Sequence, residues 1–393
     1  MNRRDTAEWR ANLGSVPARR VLFVRLLVFT LIVIGLYSLL RFKRDELVDF
    51  VVPLRAAGRF LAHEPLYRPE DGHYQYKYFP TFALAMAPFT WLPKEIAEIT
   101  WFTLTVAMSW ALLSLSLVAL PNRRLSPRTL FWVTLLLNGK FLVKELAFGQ
   151  FNLIVALLLL GAVLVAQQGA VIWAGALVGT AVFVKPYALV LVPWLAWRLG
   201  VRSLVAFGVV LVIGLLLPVA FYGWQGNLTL LQEWYRTVTS TTAPNLMMPD
   251  TMSFASMWAK WLGPGPTASS LALASTVVSV AAGIFMMARW RVAEPYYLEV
   301  GYFLVLIPLL SPQGWDYVLV IALPLYMCLV DRFRDLSPPW QLVMLVGFLF
   351  TSFSVFDIVR RTLYMQMMQL GAVSVGAVLV AICAIRLRSR SLA

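Results

Sequence analysis

The sequence predicts an all-α, polytopic membrane protein. Of its 393 residues, 60% are hydrophobic and only 13% are charged, whereas roughly a quarter of the residues in a soluble domain are charged. Apolar runs approaching the length of a spanning helix, about 20 residues, recur along the whole chain. The polar stretches between them are short, so we expect a single integral membrane domain over residues 1–393.

Hydropathy predicts about twelve transmembrane helices. They are placed near residues 21–40, 97–120, 130–147, 151–167, 170–184, 187–199, 204–221, 269–289, 296–310, 315–330, 341–356 and 369–387. The first follows a basic N-terminus without a small-residue cleavage site, so it is interpreted as an anchor and not as a signal peptide.

Basic loops support this topology, because Lys and Arg favour the cytoplasmic side of a membrane. Twelve crossings put most basic clusters on one side, together with both termini, and this accounts for the net charge of +14 without a nucleic-acid partner. The clusters are 1–20, 121–128, 198–202, 289–291, 331–334 and 386–390. Arg41–Arg44 and Arg360–Arg361 are the exceptions.

Two large external segments are expected, over residues 41–95 and 222–268. In the first, Phe50, Leu54, Ala57 and Leu61 recur at helical spacing while Arg55 and Arg59 take another face, a pattern typical of an amphipathic helix at a membrane surface. Residues 78–93 are apolar, but a crossing there would move the basic loop 121–128 outside. They are therefore predicted to be an interfacial helix.

Composition excludes several chemistries. The two cysteines, Cys328 and Cys383, lie in apolar runs, and His63 and His73 are the only histidines. We expect no disulfide framework, no metal site and no bound cofactor. Neither a phosphate-binding P-loop nor a dinucleotide-binding glycine motif is present.

The first candidate site residues lie in the first external segment. Asp49 is either a general base near the membrane surface or an N-cap for the following helix. Lys77, followed by Tyr78, either binds a phosphate at headgroup depth or extends toward lipid headgroups.

Further polar residues lie at the ends of predicted spans. Lys140 and Lys144 share one helix face and are either anchors or binding residues, while Gln150 and Asn152 offer amides to sugar hydroxyls or to neighbouring helices. Lys185 precedes a proline between two apolar runs, where phosphate binding and a structural role are both open.

The last candidates begin the predicted span 315–330. Asp316 either caps that helix or lines the same cavity as Asp49. Trp315 and Tyr317 either stack on a sugar ring or are interfacial aromatics.

Four sequence blocks, taken in order, resemble glycosyltransferase family 87 of the GT-C superfamily. They are Asp49-Phe with Arg55-Ala-Ala-Gly and Glu64-Pro-Leu-Tyr67, Tyr78-Phe-Pro-Thr-Phe with Ala87-Pro88 and Leu92-Pro93, Gly149-Gln-Phe-Asn152, and Ala174-Gly-Ala to Lys185-Pro. The resemblance covers roughly residues 20–330.

The resemblance implies transfer of a sugar, most simply mannose, from a polyprenyl-phosphate donor to a lipid or glycan acceptor. Asp49 matches the family's catalytic acidic position, which implies an inverting reaction with Asp49 as base. It further implies an enzyme of the bacterial inner membrane that serves envelope glycolipid synthesis, with an outward-facing site.

The chain departs from the family pattern at three places. No histidine follows Trp315, Thr251-Met-Ser253 stands where Asn-Gln-Ser is frequent, and Phe79 stands where Pro-Pro is usual. These departures concern the acceptor and the identity of the sugar. Two alternatives to the enzyme remain from the sequence: a lipid or glycan transporter or flippase, and a non-catalytic relative that assists envelope assembly.

Overall fold

Helices form nearly all of the protein's ordered elements. The computed structural model describes residues 16–41, 47–289, 295–311 and 313–390. Most of the basic N-terminus, Arg44 and Arg291 lie outside the described residues, so their predicted cytoplasmic or external placement has no structural counterpart. Within the described ranges no β-strand forms, and one isolated bridge pairs Thr251 with Trp315.

The main helices follow one another in chain order. They are α1 (Val16–Arg41), α2 (Val48–Leu61), α3 (Pro80–Met86), α4 (Lys94–Ala119), α5 (Pro127–Phe148), α6 (Asn152–Gln167), α7 (Val171–Val184), α8 (Val201–Leu216), α9 (Val219–Ser240), α10 (Phe254–Leu262), α11 (Pro266–Arg289), α12 (Tyr296–Leu310), α13 (Leu323–Asp331), α14 (Pro338–Ser352), α15 (Arg361–Gln369) and α16 (Ala372–Arg390).

Short helical turns connect several of these helices. They are 3₁₀ turns at Pro69–Tyr74, Ala87–Trp91, Pro186–Leu191, Ala243–Asn245, Asp316–Ala322 and Phe333–Asp335, a π turn at Leu195–Leu199, and α turns at Val192–Trp194 and Phe356–Val359.

Each predicted span coincides with a helical segment, but the number of crossings stays a prediction. Among the described residues, α4, α11 and α16 are long and apolar enough to cross a membrane. A fourth span results if α8 and α9, bent by 89° from each other, are counted together. The predicted span 204–221 is interrupted at this bend, where Pro218 removes a backbone donor.

The predicted cytoplasmic loops meet at one end of the helix bundle. Arg332 donates to the carbonyl oxygens of Pro121 (3.0 Å) and Asn122 (2.7 Å). The backbone N–H groups of Arg124 and Leu125 donate to the Asp331 carboxylate, both at 2.9 Å. We call this end the basic end. Its assembly from loops distant in sequence agrees with the predicted topology, although the side of the membrane stays a prediction.

A buried ion-pair cluster completes the basic end. The fully buried Glu299, in the first turn of α12, accepts hydrogen bonds from Arg198 Nε at 2.9 Å and from Arg388 Nη2 at 2.6 Å. Two arginines contacting one carboxylate satisfy a charge that would otherwise be costly to bury.

The predicted amphipathic helix forms as α2, but two of its faces are buried. Phe50 and Ala57 lie in the main core as the spacing predicted, whereas Leu61 is 41% exposed. Phe60, on a second face, lies in a smaller core with Tyr67. The loop after α2 thus covers a face of α2 that the sequence pattern predicted to contact lipid. Helix α3, in the predicted interfacial segment 78–93, has seven residues and is too short to cross the membrane by itself.

Candidate functional site

A polar cavity lies between α2, the ends of α5 and α7, and two later loops. Its volume is about 230 Å³. The polar and aromatic residues that line it are Asp49, His73, Tyr74, Gln75, Lys77, Tyr78, Gln150, Lys185, Tyr187, Asp250, Gln313, Trp315 and Tyr317. Six of the nine site residues predicted from the sequence are in this set. The cavity is smaller than the roughly 300–1,000 Å³ typical of sites for drug-sized ligands, so a sugar and its phosphate suit it better than a whole lipid.

Asp49 enters the cavity from the first turn of α2. Leu47 is the N-cap of that helix and no side chain caps it, so the Asp49 carboxylate does not serve as the cap. It accepts a hydrogen bond from Gln150 Nε2. Burial raises the pKa of Asp49 above its usual 3.8, and the Gln150 hydrogen bond and the positive charges of Lys185, His73 and Lys77 oppose this without cancelling it. A raised pKa suits a general base.

Gly149 explains why Gln150 reaches Asp49. Gly149 ends α5 in the left-handed conformation, at φ 73°. A Cβ at this position would lie 2.8 Å from Phe50 Cβ and 2.9 Å from Leu47 Cβ. Glycine therefore permits both the turn and the contact between α5 and α2, and that contact brings Gln150 to the carboxylate.

Two lysines in the cavity have no carboxylate within 4 Å among the described residues. Lys185 lies between α7 and the following 3₁₀ turn, and its extended backbone is typical of a residue before proline. The backbone carbonyl of Lys77 accepts a hydrogen bond from Trp234 Nε1 at 3.1 Å. Burial lowers the pKa of Lys77, opposed by the Asp49 charge. The two ammonium groups can bind an anion.

Aromatic rings border the cavity. Trp315 and Tyr317 are parallel, with ring centroids 6.4 Å apart and an interplanar angle of 6°. The Tyr317 hydroxyl accepts a second hydrogen bond from Gln150 Nε2, at 3.1 Å. Tyr78 stacks on Phe82 with centroids 4.8 Å apart. These contacts hold aromatic surface against the space where a ligand would lie.

The other three predicted residues lie behind the cavity wall. Asp316 is fully buried, and its carboxylate contacts Lys140 at 2.9 Å and Lys144 at 2.7 Å. It neither caps its helical turn nor lines the cavity, because the two lysines take its oxygens. Asn152 is also fully buried and donates to Glu145. Any effect of Asp316, Lys144 or Asn152 on ligand binding would therefore have to pass through residues that line the cavity.

Asp250 was missed by the sequence reasoning. It lines the cavity, and Lys144 Nζ contacts its Oδ2 at 3.4 Å. No signal in the sequence marked it, because its contact with Lys144 joins residues 106 positions apart.

Other cavity residues were also not predicted. His73, Tyr74, Gln75, Tyr187 and Gln313 contribute to the lining. They come from loops and 3₁₀ turns, where no periodic pattern marks which side chain points inward. In the described ranges, no group of three His, Cys, Asp or Glu side chains is arranged to hold a metal ion.

Residues 76–312, well over half of the chain, match the model of glycosyltransferase family 87. The chain belongs to glycosyltransferase family 87. It is therefore a membrane glycosyltransferase, as the sequence blocks predicted, and membership favours the enzyme over the transporter alternative. No curated protein and no solved structure gives a significant match.

The matched residues cover part of the cavity. They include Lys77, Tyr78, Lys144, Gln150, Asn152 and Lys185, as well as Asp250. Asp49 precedes the match, and Trp315 and Asp316 follow it. The role of Asp49 as a base consequently stays a prediction that rests on the resemblance of the first block and on the geometry of the cavity.

Proposed function

We propose that this glycosyltransferase moves a sugar, mannose in the first instance, from a polyprenyl-phosphate donor to a hydroxyl of a lipid or glycan acceptor. Asp49 acts as the base, and Lys77 and Lys185 bind the donor phosphate. The enzyme works in the bacterial inner membrane, with both termini in the cytoplasm and the cavity on the outer side.

One observation carries the proposal. A carboxylate with a raised pKa shares a small cavity with two lysines that lack an ion-pair partner within 4 Å among the described residues. Both lysines are half-buried, and cations in such a place cost stability unless an opposite charge contacts them, which a bound phosphate would supply. A phosphate beside a base is what transfer from a sugar phosphate needs.

The reaction is a single displacement. The Asp49 carboxylate takes the proton of the acceptor hydroxyl while that oxygen forms a bond to the anomeric carbon of the donor sugar. The bond between this carbon and the phosphate oxygen breaks, and polyprenyl phosphate leaves with the electron pair. The lysine charges stabilise the leaving phosphate, so the step needs no general acid. Attack from the face opposite the phosphate inverts the anomeric configuration.

The position of the cavity supports an outward-facing site. Helix α5 begins beside the basic end and ends at Gly149, next to the cavity. Its 22 residues span about 33 Å at 1.5 Å per residue, close to the thickness of the hydrocarbon core. If the basic end faces the cytoplasm, the cavity lies near the opposite headgroups, where a lipid-borne donor places its sugar.

The test is sugar transfer by purified protein in detergent. Radiolabelled polyprenyl-phosphate-mannose is the donor and a crude lipid extract of the host supplies acceptors. Wild type is expected to form a labelled product, and Asp49→Asn to lower the rate by about 10²–10⁴-fold, the usual contribution of a general base. Glu64→Gln, at an exposed pair with Arg68, is the control and should retain activity.

Each result has a definite meaning. Full activity in Asp49→Asn would show that another group is the base. No product from wild type with this donor would exclude mannose, and polyprenyl phosphates of other hexoses or of pentoses come next. Absence of transfer from all of them would favour the non-catalytic relative.

A further inference from the structure

A second carboxylate in the cavity is held in place by the C-terminal part of the chain. Asp250 Oδ1 accepts a hydrogen bond from the Tyr364 hydroxyl of α15 at 2.9 Å, and Asp250 Oδ2 lies 3.4 Å from Lys144 Nζ. The Asp250 side chain is still 40% exposed. Each carboxylate oxygen can accept two hydrogen bonds, so lone pairs remain for a ligand.

Backbone contacts fix Asp250 relative to Trp315. The Asp316 N–H donates to the carbonyl of Asp250 at 2.8 Å, and the Met252 N–H donates to the carbonyl of Gly314 at 2.6 Å. Lys260 holds the same loop, because its Nζ donates to the carbonyl of Thr251 at 2.7 Å. Asp250 and Trp315 therefore belong to one rigid patch, which we call the loop patch.

Gln313 adds an acceptor to the loop patch. Its Nε2 donates to Thr241 Oγ1 at 3.0 Å, which leaves its carbonyl oxygen for other donors. The loop patch thus offers the cavity a carboxylate, an amide oxygen and an aromatic face. This combination suits a ring with several hydroxyls, since the acceptors bind the hydroxyls and the apolar C–H face lies on the indole.

Building on the proposed transfer reaction, we propose that the loop patch is the acceptor subsite. Asp250 binds hydroxyls next to the one that reacts, and Tyr364 is its positioning residue. The acceptor accordingly presents a carbohydrate ring at its reactive end, in contrast to a simple lipid alcohol.

The two cavity carboxylates, Asp250 and Asp49, have different partners and therefore different proposed roles. Asp250 contacts the Lys144 ammonium group, and Lys144 also contacts the buried Asp316. The Asp250 carboxylate thus has a cation and a tyrosine hydroxyl as partners, and its remaining lone pairs can accept hydrogen bonds. Asp49 contacts the Gln150 amide and, among the described residues, no cation within 4 Å, which leaves it to take a proton.

The experiment compares two acceptors that share one alkyl chain: octyl mannoside and octanol, each with polyprenyl-phosphate-mannose as donor. We expect transfer to octyl mannoside only. Asp250→Ala should raise the KM for octyl mannoside by about 10- to 100-fold, as for loss of hydrogen bonds to a charged group, with the donor KM within a factor of about three. Tyr364→Phe, which leaves the carboxylate but removes its donor, should raise the same KM less.

Equal use of octanol, or an unchanged acceptor KM in Asp250→Ala, would overturn the subsite. An equal rise in donor and acceptor KM in both variants would indicate a structural role and would also overturn it. Since Asp250→Ala can fail to fold, Tyr364→Phe and Trp315→Phe carry the same test with smaller changes.

Direct binding separates this proposal from the transfer reaction. Octyl mannoside binding to purified protein, followed by titration calorimetry, needs no turnover. Weaker binding in Asp250→Ala together with no transfer by wild type would support the subsite and refute the donor assignment. Transfer by wild type together with unchanged binding in Asp250→Ala would support the donor assignment and refute the subsite.

Discussion

The two ends of the helix bundle treat buried charge in different ways. At the basic end, the fully buried Glu299 contacts Arg198 and Arg388. In the cavity, Lys77 and Lys185 have no carboxylate within 4 Å among the described residues. Behind the cavity wall, the buried Asp316 is also matched, by Lys140 and Lys144. The contrast is therefore between these matched pairs and the two cavity lysines, which have no carboxylate in direct contact among the described residues.

The difference separates structural charge from functional charge. A matched buried pair is destabilising to break, because removal of one partner strands the other. An unmatched pair of cations does not stabilise the fold, and its removal should affect ligand binding instead. Mutations at the basic end should therefore lower stability, whereas mutations of the cavity lysines should weaken substrate binding.

The largest stability effect is expected at the basic end. Glu299→Ala removes the carboxylate that Arg198 and Arg388 both contact, and should cost about 3–5 kcal/mol. Thermal unfolding in detergent measures this loss. Glu64→Gln, at an exposed pair, should change stability by about 1 kcal/mol or less. A Glu299→Ala variant as stable as wild type would show that the matched charges of the basic end do not stabilise the fold.

Removal of a cavity lysine should mainly weaken donor binding. Lys185→Ala is expected to raise the donor KM by about 10- to 100-fold through loss of charge-assisted phosphate contacts, with a smaller change in kcat and no loss of thermal stability. Lys94→Ala, at a lysine paired with Glu98 outside the cavity, should leave the donor KM unchanged. An unchanged donor KM in Lys185→Ala would contradict the phosphate role.

The smallest effect concerns pH. Activity should rise with pH as Asp49 loses its proton, with an acidic limb above the usual Asp pKa because burial raises the pKa of Asp49. The Gln150 hydrogen bond and the Lys77 charge both lower that pKa, so Gln150→Met and Lys77→Met should each move the limb to higher pH. The shift should be larger in Gln150→Met, because its hydrogen bond opposes burial more strongly.

The dependence of kcat on pH, measured between pH 4 and 9 for wild type and both variants, gives the position of the acidic limb in each. A limb that stays at the same pH in both variants would exclude Asp49 as the titrating base. A shift to lower pH would show that these residues stabilise its protonated form.

The sequence predicted the helices well because apolar runs and prolines act locally. The Lys185-Pro186 pair marks the end of α7, as predicted. Asp49, Gln150 and Lys185 could be proposed as one site only because a family resemblance related them. Their proximity depends on packing such as that of Gly149 on α2, which no local pattern encodes.

Asp250 and Tyr364 show where local reasoning ends. They are 114 positions apart in the sequence, and both lie between predicted spans, where no apolar periodicity marks which side chains meet. Asp316 shows the reverse case: the sequence placed it at the cavity, whereas the structure places it behind the wall in contact with two lysines of α5, and its role in the reaction stays a prediction.

The Tyr364–Asp250 contact has a consequence for how the enzyme is made. Residues that line the cavity extend from Val48 to Tyr317, and Tyr364 contacts one wall from a position further along the chain. Since chains emerge from the ribosome N-terminus first, Asp49 and the two cavity lysines are inserted long before Asp250 is locked. A nascent chain therefore holds a polar, positively charged recess before Tyr364 is present to fix Asp250, so the donor side of the cavity can form before the proposed acceptor side.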